Sequence, residues 1–258
     1  MAQPTVHLTV LTGASRGLGR AMASQLLATR RGDALLVTIE RTPDSSLLDE
    51  ASAVGARLAQ WALDVAHDVG VAARLEAWLH QQSPAAFASA TLINNAGAIG
   101  RVGPIDEAPA DDIATVLRVG LEAPMNLTAA FLRATRDWRC ERRVLNISSG
   151  AGRNPIAGWA PYCAAKAGLD HFSRVTALDE ARREHGAKIV SLAPGVIDTA
   201  MQSQLRASDA AGFPDKQRFL DLHANAQLAS PDAAAAKVLA YLARPDFGKN
   251  PVADVRDA

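Results

Sequence analysis

The chain has 258 residues, 48% of them hydrophobic and 21% charged, a globular mix with no disorder signature. Its 27 Lys and Arg balance 27 Asp and Glu, so it lacks the basic face that nucleic acid or an anionic membrane surface requires. Two cysteines, Cys140 and Cys163, make no disulfide framework, and no pair among the six histidines has metal-ligand spacing beside a carboxylate, so no metal is expected. The first residues carry no basic stretch, and the first apolar run, Val6 to Leu11, is far too short to span a bilayer. A cytoplasmic protein is expected.

Val6–Leu11 reads as a strand and runs directly into TGASRGLG, Thr12 to Gly19, followed by a helix over Leu18–Thr29. Further strands are expected at Ala34–Ile39, Arg57–Leu63, Ala90–Ile93, Arg143–Ile147 and Lys188–Leu192. Between them, apolar positions three and four apart predict helices over Ser45–Ala53, Asp68–Gln82, Asp111–Thr135 and roughly Tyr162–Glu184. Such alternation means right-handed crossovers and an α/β fold: a Rossmann-type, doubly wound, mostly seven-stranded parallel sheet with helices on both faces. No linker or repeat interrupts it, so residues 1–258 read as one domain. The stretch from Asp198 to Ser230 breaks the rhythm with two short amphipathic pieces around Gly212-Phe213-Pro214, and it is expected to be a substrate lid. Ser230-Pro231-Asp232 then reads as a cap and first turn of a last helix.

In the glycine loop, Gly13 permits the tight turn, Gly17 lets the backbone approach a pyrophosphate, and Gly19 lets helix and strand pack closely. The helix N-terminus offers unpaired N–H groups and a positive dipole end, to which the backbone around Ser15, Arg16 and Leu18 contributes. Three glycines alone are weak, but a place between a first strand and a first helix is what dinucleotide binding needs.

The spacing TGxxxGxG resembles the short-chain dehydrogenase/reductase family. Further matches follow in the family's order: Asp64 after the third strand, Asn94-Asn95-Ala96-Gly97 after the fourth, Ser149 with Tyr162 and Lys166 as its Ser and YxxxK, and Pro194-Gly195 after the sixth. The resemblance implies that Asp64 holds the adenine amino group and that Asn95, Ala96 and Gly97 lie beneath the cofactor. It likewise implies that Val196 and Thr199 meet the nicotinamide carboxamide. NISSGAGRNPIAGW (Asn146–Trp159) and APGVIDTAMQ (Ala193–Gln202) are similar to the sepiapterin reductase and bacterial benzil reductase branch. A homodimer through the two long helices is implied as well.

Tyr162 and Lys166, four apart, share one helix face. A phenol titrates near ~10, and bringing it to ~7 takes about 3 units, roughly 4 kcal/mol of preference for phenolate. A Lys166 ammonium in a partly desolvated site is expected to supply much of that. Hydride would pass to a carbonyl carbon, Tyr162 would protonate the oxygen, and Ser149 would orient it. By resemblance, Lys166 also binds the nicotinamide ribose. Related enzymes carry an Asn in the helix after NNAG where this chain has Gly120. Pro124, four residues on, has no N–H for the Gly120 carbonyl, so that oxygen is expected to serve a water link to Lys166. Isolated, a YxxxK pair would be an ordinary amphipathic helix, and Cys163 beside it reads as a small packed residue.

The cofactor choice rests on opposed charges. Glu40, 21 residues beyond Gly19, is placed to hold a ribose hydroxyl of NAD(H), whereas Arg16 and Arg41 are placed to clamp the 2′-phosphate of NADP(H). By resemblance, Ile39 fills the usual NAD-type Asp position. Two cations against one anion favour NADP(H), with NAD(H) possible. The expected activity is reduction of a small-molecule ketone or vicinal dicarbonyl, sepiapterin-like or benzil-like. Trp159 either lines the substrate pocket or packs its loop, and Asp254 aligns by resemblance with a substrate-anchoring carboxylate or is a solvated terminal Asp. Two alternatives stand: an NAD(P)-dependent alcohol dehydrogenase of the same family, and a dinucleotide-binding sensor without turnover, against which the Ser–Tyr–Lys set counts.

Overall fold

The computed structural model describes residues 5–68 and 70–257. Strand β1 (Val6–Thr12) is nearly all buried, as a strand with helices on both faces must be, and it leads through the glycine loop into α1 (Gly17–Arg30). Next come β2 (Ala34–Glu40), α2 (Ser46–Val54), β3 (Arg57–Ala62), α3 (Val71–His80) and β4 (Phe87–Asn94). The helix expected over Asp68–Gln82 thus starts later, and its residue 69 lies outside the described residues.

The single helix expected over Asp111–Thr135 is broken. It consists of α4 (Ala110–Leu117), a π-helical turn over Arg118–Glu122, and α5 (Ala123–Ala134). Pro124 sits in the first turn of α5, where its missing N–H and its ring forbid an undisturbed α-helix through Gly120. The chain widens instead, and the Ala123 N–H reaches five residues back to the Arg118 carbonyl.

After β5 (Glu141–Ile147), the long α6 (Ala160–Ala181) returns the chain to β6 (Lys188–Ala193). The segment expected to be a lid holds α7 (Ala200–Ala207) and α8 (Lys216–Ala224). In α9 (Pro231–Leu242) the Ser230 hydroxyl accepts from the Ala233 N–H at 3.1 Å, the expected cap. A short strand β7 (Val252–Asp254), absent from the six read individually, closes the sheet. Three residues with a buried aspartate give no period to detect.

Among the described residues the seven strands form one parallel sheet, order β3-β2-β1-β4-β5-β6-β7. The order reverses between β1 and β4, which opens a crevice at the carboxyl ends of those strands, where open α/β sheets take their ligands. One core packs α1, α2 and α9 on one face, and a second packs α3 and α5 on the other. A third cluster, built on Trp159, Tyr162, Phe213 and Phe219, joins α6 to the α7–α8 segment. No helix among the described residues is long and apolar enough to cross a membrane.

Candidate active site

The turn after β4 is clamped onto the glycine loop. Thr12 Oγ1 accepts from the backbone N–H groups of Asn95 and Ala96 at 2.9 and 3.0 Å, and the Asn95 side-chain amide donates to the carbonyls of Thr12 and Gly13 at 3.0 and 3.1 Å. Two glycines are required by this geometry. A Cβ on Gly19 would lie 2.0 Å from the Gly13 carbonyl oxygen and 2.5 Å from the Asn95 amide. Gly17 has φ +57, and across from it stands Thr199, whose methyl a Cβ there would touch at 3.4 Å. Helix α1 starts with no side-chain cap and no acidic residue in its first turn, so its N–H groups and dipole end face the crevice uncompensated. That donor set suits the phosphates of a dinucleotide. Leu18 is packed in the core below, and Ser15 is half-buried in the loop.

At the outer end of the crevice the charges divide. Arg16 and Arg41 are exposed, and among the described residues neither has a carboxylate within ion-pair distance. Glu40 is buried at the end of β2, where one oxygen accepts from the Thr38 hydroxyl at 2.8 Å and the other has no hydrogen-bond partner. Burial raises its carboxyl above the usual range, against the pull of its Thr38 hydrogen bond. Ile39 beside it is a core residue. Asp64 is half-buried after β3, with one oxygen accepting from the Ala66 N–H at 2.9 Å. On the far wall Pro194 and Gly195 follow β6. The Val196 carbonyl accepts from the Ala229 N–H at 3.0 Å, which ties the end of the α7–α8 segment to this wall.

Ser149, Tyr162 and Lys166 come together at the carboxyl end of β5. Tyr162 and Lys166 are both almost fully buried, with the Lys166 nitrogen 5.7 Å from the centre of the phenol ring. Its Nζ donates to the Ile147 carbonyl at 2.8 Å. The Ser149 hydroxyl accepts from the Ala151 N–H at 3.1 Å. Burial pushes the Tyr162 phenol up to about 12, partly offset by Ser149. It pushes the Lys166 amine down to about 8, against the pull of Asp170. This differs from the expectation of a phenol drawn down by Lys166. Both groups are desolvated, and the ammonium is turned to a backbone carbonyl rather than to the phenol. Tyr162 is thus held as a neutral phenol, the state a proton donor needs. Gly120, in the π-turn, is buried against α6, where a Cβ would lie 3.1 Å from that of Ala165.

Trp159, at the start of α6, is buried in the third cluster. Its ring meets Tyr162 edge-on at 5.4 Å, stacks on Phe213 at 5.6 Å and lies tilted against Phe219 at 5.4 Å. Its buried indole N–H has no acceptor. The aromatic pair from the α7–α8 segment therefore reaches the phenol through Trp159. Asp254 is buried, with Arg256 donating to it at 2.6 Å and Arg153 3.9 Å away. It faces these arginines and is not solvated. Among the described residues no three His, Cys, Asp or Glu side chains gather as a metal set.

Two features were missed from the sequence: the Thr12 hydroxyl and the buried Asp170. Thr12 lay within the glycine-loop string, but its role depends on a turn 83 residues away. Asp170 falls one helical turn after Lys166, a spacing that could have marked it.

The fold and the crevice define a dinucleotide-binding α/β protein with a buried Ser–Tyr–Lys set. The sequence pattern of the short chain dehydrogenase family matches residues 7–210, and the chain belongs to that family. It is an NAD(P)-dependent oxidoreductase. A Bacillus cereus protein named benzil reductase ((S)-benzoin forming) is 34% identical over 247 residues, 96% of this chain and 98% of the relative. Sepiapterin reductase of Rattus norvegicus is 32% identical over 256 residues, 96% of this chain and 95% of the relative. The crystal structure of the KRED1-Pglu enzyme superposes with a TM-score of 0.77 at 30% identity, covering 96% of this chain and all (100%) of that one.

Proposed function

We propose that this chain is an NADPH-dependent reductase of ketones, above all of vicinal dicarbonyls, acting as a single catalytic domain in the cytoplasm. The observation that carries the reading is the buried Tyr162–Lys166 pair beneath the aromatic wall of Trp159, Phe213 and Phe219. When bound, the cofactor supplies the hydride. The chain supplies the rest. The glycine loop, Asp64, Asn95 to Gly97, Pro194 to Val196 and Thr199 would hold the dinucleotide. Arg16 and Arg41, with no carboxylate within ion-pair distance among the described residues, suit a 2′-phosphate, whereas one Glu40 oxygen is held by Thr38. Ser149 orients the carbonyl oxygen and Tyr162 gives it a proton. Lys166 anchors the ribose and feeds the phenol, with the Gly120 carbonyl of the π-turn serving a water link.

The substrate half of the reading is supported by the aromatic wall and by the relatives named benzil reductase and sepiapterin reductase. An aryl group would pack at the edge of this cluster beside Tyr162, and the unpaired Trp159 N–H would suit a second carbonyl oxygen. Residues 198–230 act as the lid, since Phe213 and Phe219 form part of that wall. The exposed Met125, Val175 and Leu178 on α5 and α6 offer the apolar face for a homodimer. The reading is tested by Tyr162→Phe, which keeps the ring and removes the proton. kcat with a vicinal diketone should fall at least about 100-fold with Tm unchanged, and retention of most activity would overturn Tyr162 as the acid.

A further inference from the structure

Lys166 carries its charge in a buried place, and among the described residues no carboxylate stands within ion-pair distance of it. Asp170, one turn further along the same face of α6, is still more deeply buried. Its Oδ1 accepts from the hydroxyls of Ser148 at 2.6 Å and Ser191 at 2.7 Å. Its Oδ2 accepts from Arg153 Nε at 3.2 Å. Every one of these donors lies beside the catalytic set or behind it. Ser148 stands between Ile147, whose carbonyl holds the Lys166 amine, and Ser149. Ser191 is on β6. Arg153 also donates to the Ala253 carbonyl at 2.7 Å and stands 3.9 Å from Asp254, which is paired with Arg256.

We propose that Asp170 is a positioning residue for Lys166: it fixes the Ile147–Ser149 turn that holds the amine, keeps that amine an ammonium, and ties both through Arg153 to the C-terminal strand. A carboxylate that accepts three hydrogen bonds is rigid, so its field at Lys166 is fixed as well. Other charges do not intrude. The π-turn meets α6 through the uncharged Gly120 and Leu121, with Arg118 and Glu122 exposed. Tyr162, held neutral, and Cys163 are the titratable neighbours before it on the helix. Behind Asp170 stand Arg153, then Asp254 with Arg256. Asp254 thereby gains a role in this chain of contacts rather than toward the substrate. The C-terminal strand becomes part of the site without touching it.

The inference rests on the reading of Lys166 as a cofactor-binding cation, so its test reads cofactor binding as well as turnover. NADPH affinity, followed by fluorescence titration against pH, should weaken above about pH 8 in the wild type as Lys166 loses its proton. In Asp170→Asn, loss of the negative charge favours the neutral amine, and this limb should move about one unit toward acid. In Arg153→Gln, loss of the positive charge behind Asp170 should move it the other way, by about half a unit. Opposite shifts are what a merely structural staple cannot produce. Lower Tm in both variants with the limb unmoved in either would overturn the proposal. If Asp170→Asn does not fold, the direction of the Arg153→Gln shift decides alone. Wild-type binding with this pH limb but no turnover of any carbonyl would overturn the proposed activity and leave the role of Asp170 standing.

Discussion

The two walls of the crevice are built on different principles. On the cofactor side, the backbone is approached closely and bonded directly: Gly19 against the Gly13 carbonyl, and the Asn95 turn held through the Thr12 hydroxyl and the Asn95 amide. There is no room for a side chain and hardly any choice of residue. On the side proposed for the substrate, Trp159, Phe213 and Phe219 pack as stacked and tilted rings, and the contact tolerates residues of similar shape. The first wall is set by sterics and the second by packing. A fold can therefore keep one cofactor cradle while its substrate wall changes freely.

The sharpest way to break this contrast is at Gly19. Gly19→Ala places a methyl carbon 2.0 Å from the Gly13 oxygen, far inside van der Waals contact, so the loop must shift. We expect NADPH affinity to fall by about 10- to 100-fold, measured by fluorescence titration. Unchanged affinity would show that the cradle is looser than its geometry. A smaller effect is expected at the outer end. Arg16→Ala should lower kcat/KM for NADPH by about tenfold and for NADH hardly at all, since a charge-assisted contact with the 2′-phosphate is lost from an exposed, partly screened place. Equal losses would assign Arg16 to the shared phosphates. Smallest is the change on the substrate wall. Trp159→Phe keeps the ring stack and removes the N–H. KM for a vicinal diketone should rise about 3- to 10-fold, while a monoketone of the same shape is untouched. Parallel changes in both would make Trp159 a packing residue alone.

The same division explains what could be read from the sequence. Strand–helix alternation, the glycine loop, NNAG and the Ser149–Tyr162–Lys166 spacing are local patterns, and they carried the sheet and the site. The break at Arg118–Glu122 was half visible, because Gly120 and Pro124 announced a disturbed helix but not that it would widen into a π-turn. The burial of Glu40 was hidden. A carboxylate 21 residues past the loop shows no sign in the sequence that it is buried, with one oxygen on the Thr38 hydroxyl and the other without a hydrogen-bond partner. The pairing of Asp254 with Arg256 and Arg153 was hidden too, since it depends on β7 joining the sheet. The rise in the Tyr162 phenol was hidden as well, since it follows from burial in a cluster assembled from distant parts of the chain.

The central claim, that this crevice joins an NADPH cradle to a dicarbonyl-reducing site, is tested most directly by one set of initial rates. Purified protein is given NADPH or NADH with a vicinal aryl diketone or its matched monoketone, and cofactor oxidation is followed by absorbance. The account predicts that kcat/KM is highest for NADPH with the diketone, by at least about tenfold over either NADH or the monoketone. A higher kcat/KM with NADH, or no oxidation of either cofactor by any diketone, would contradict it.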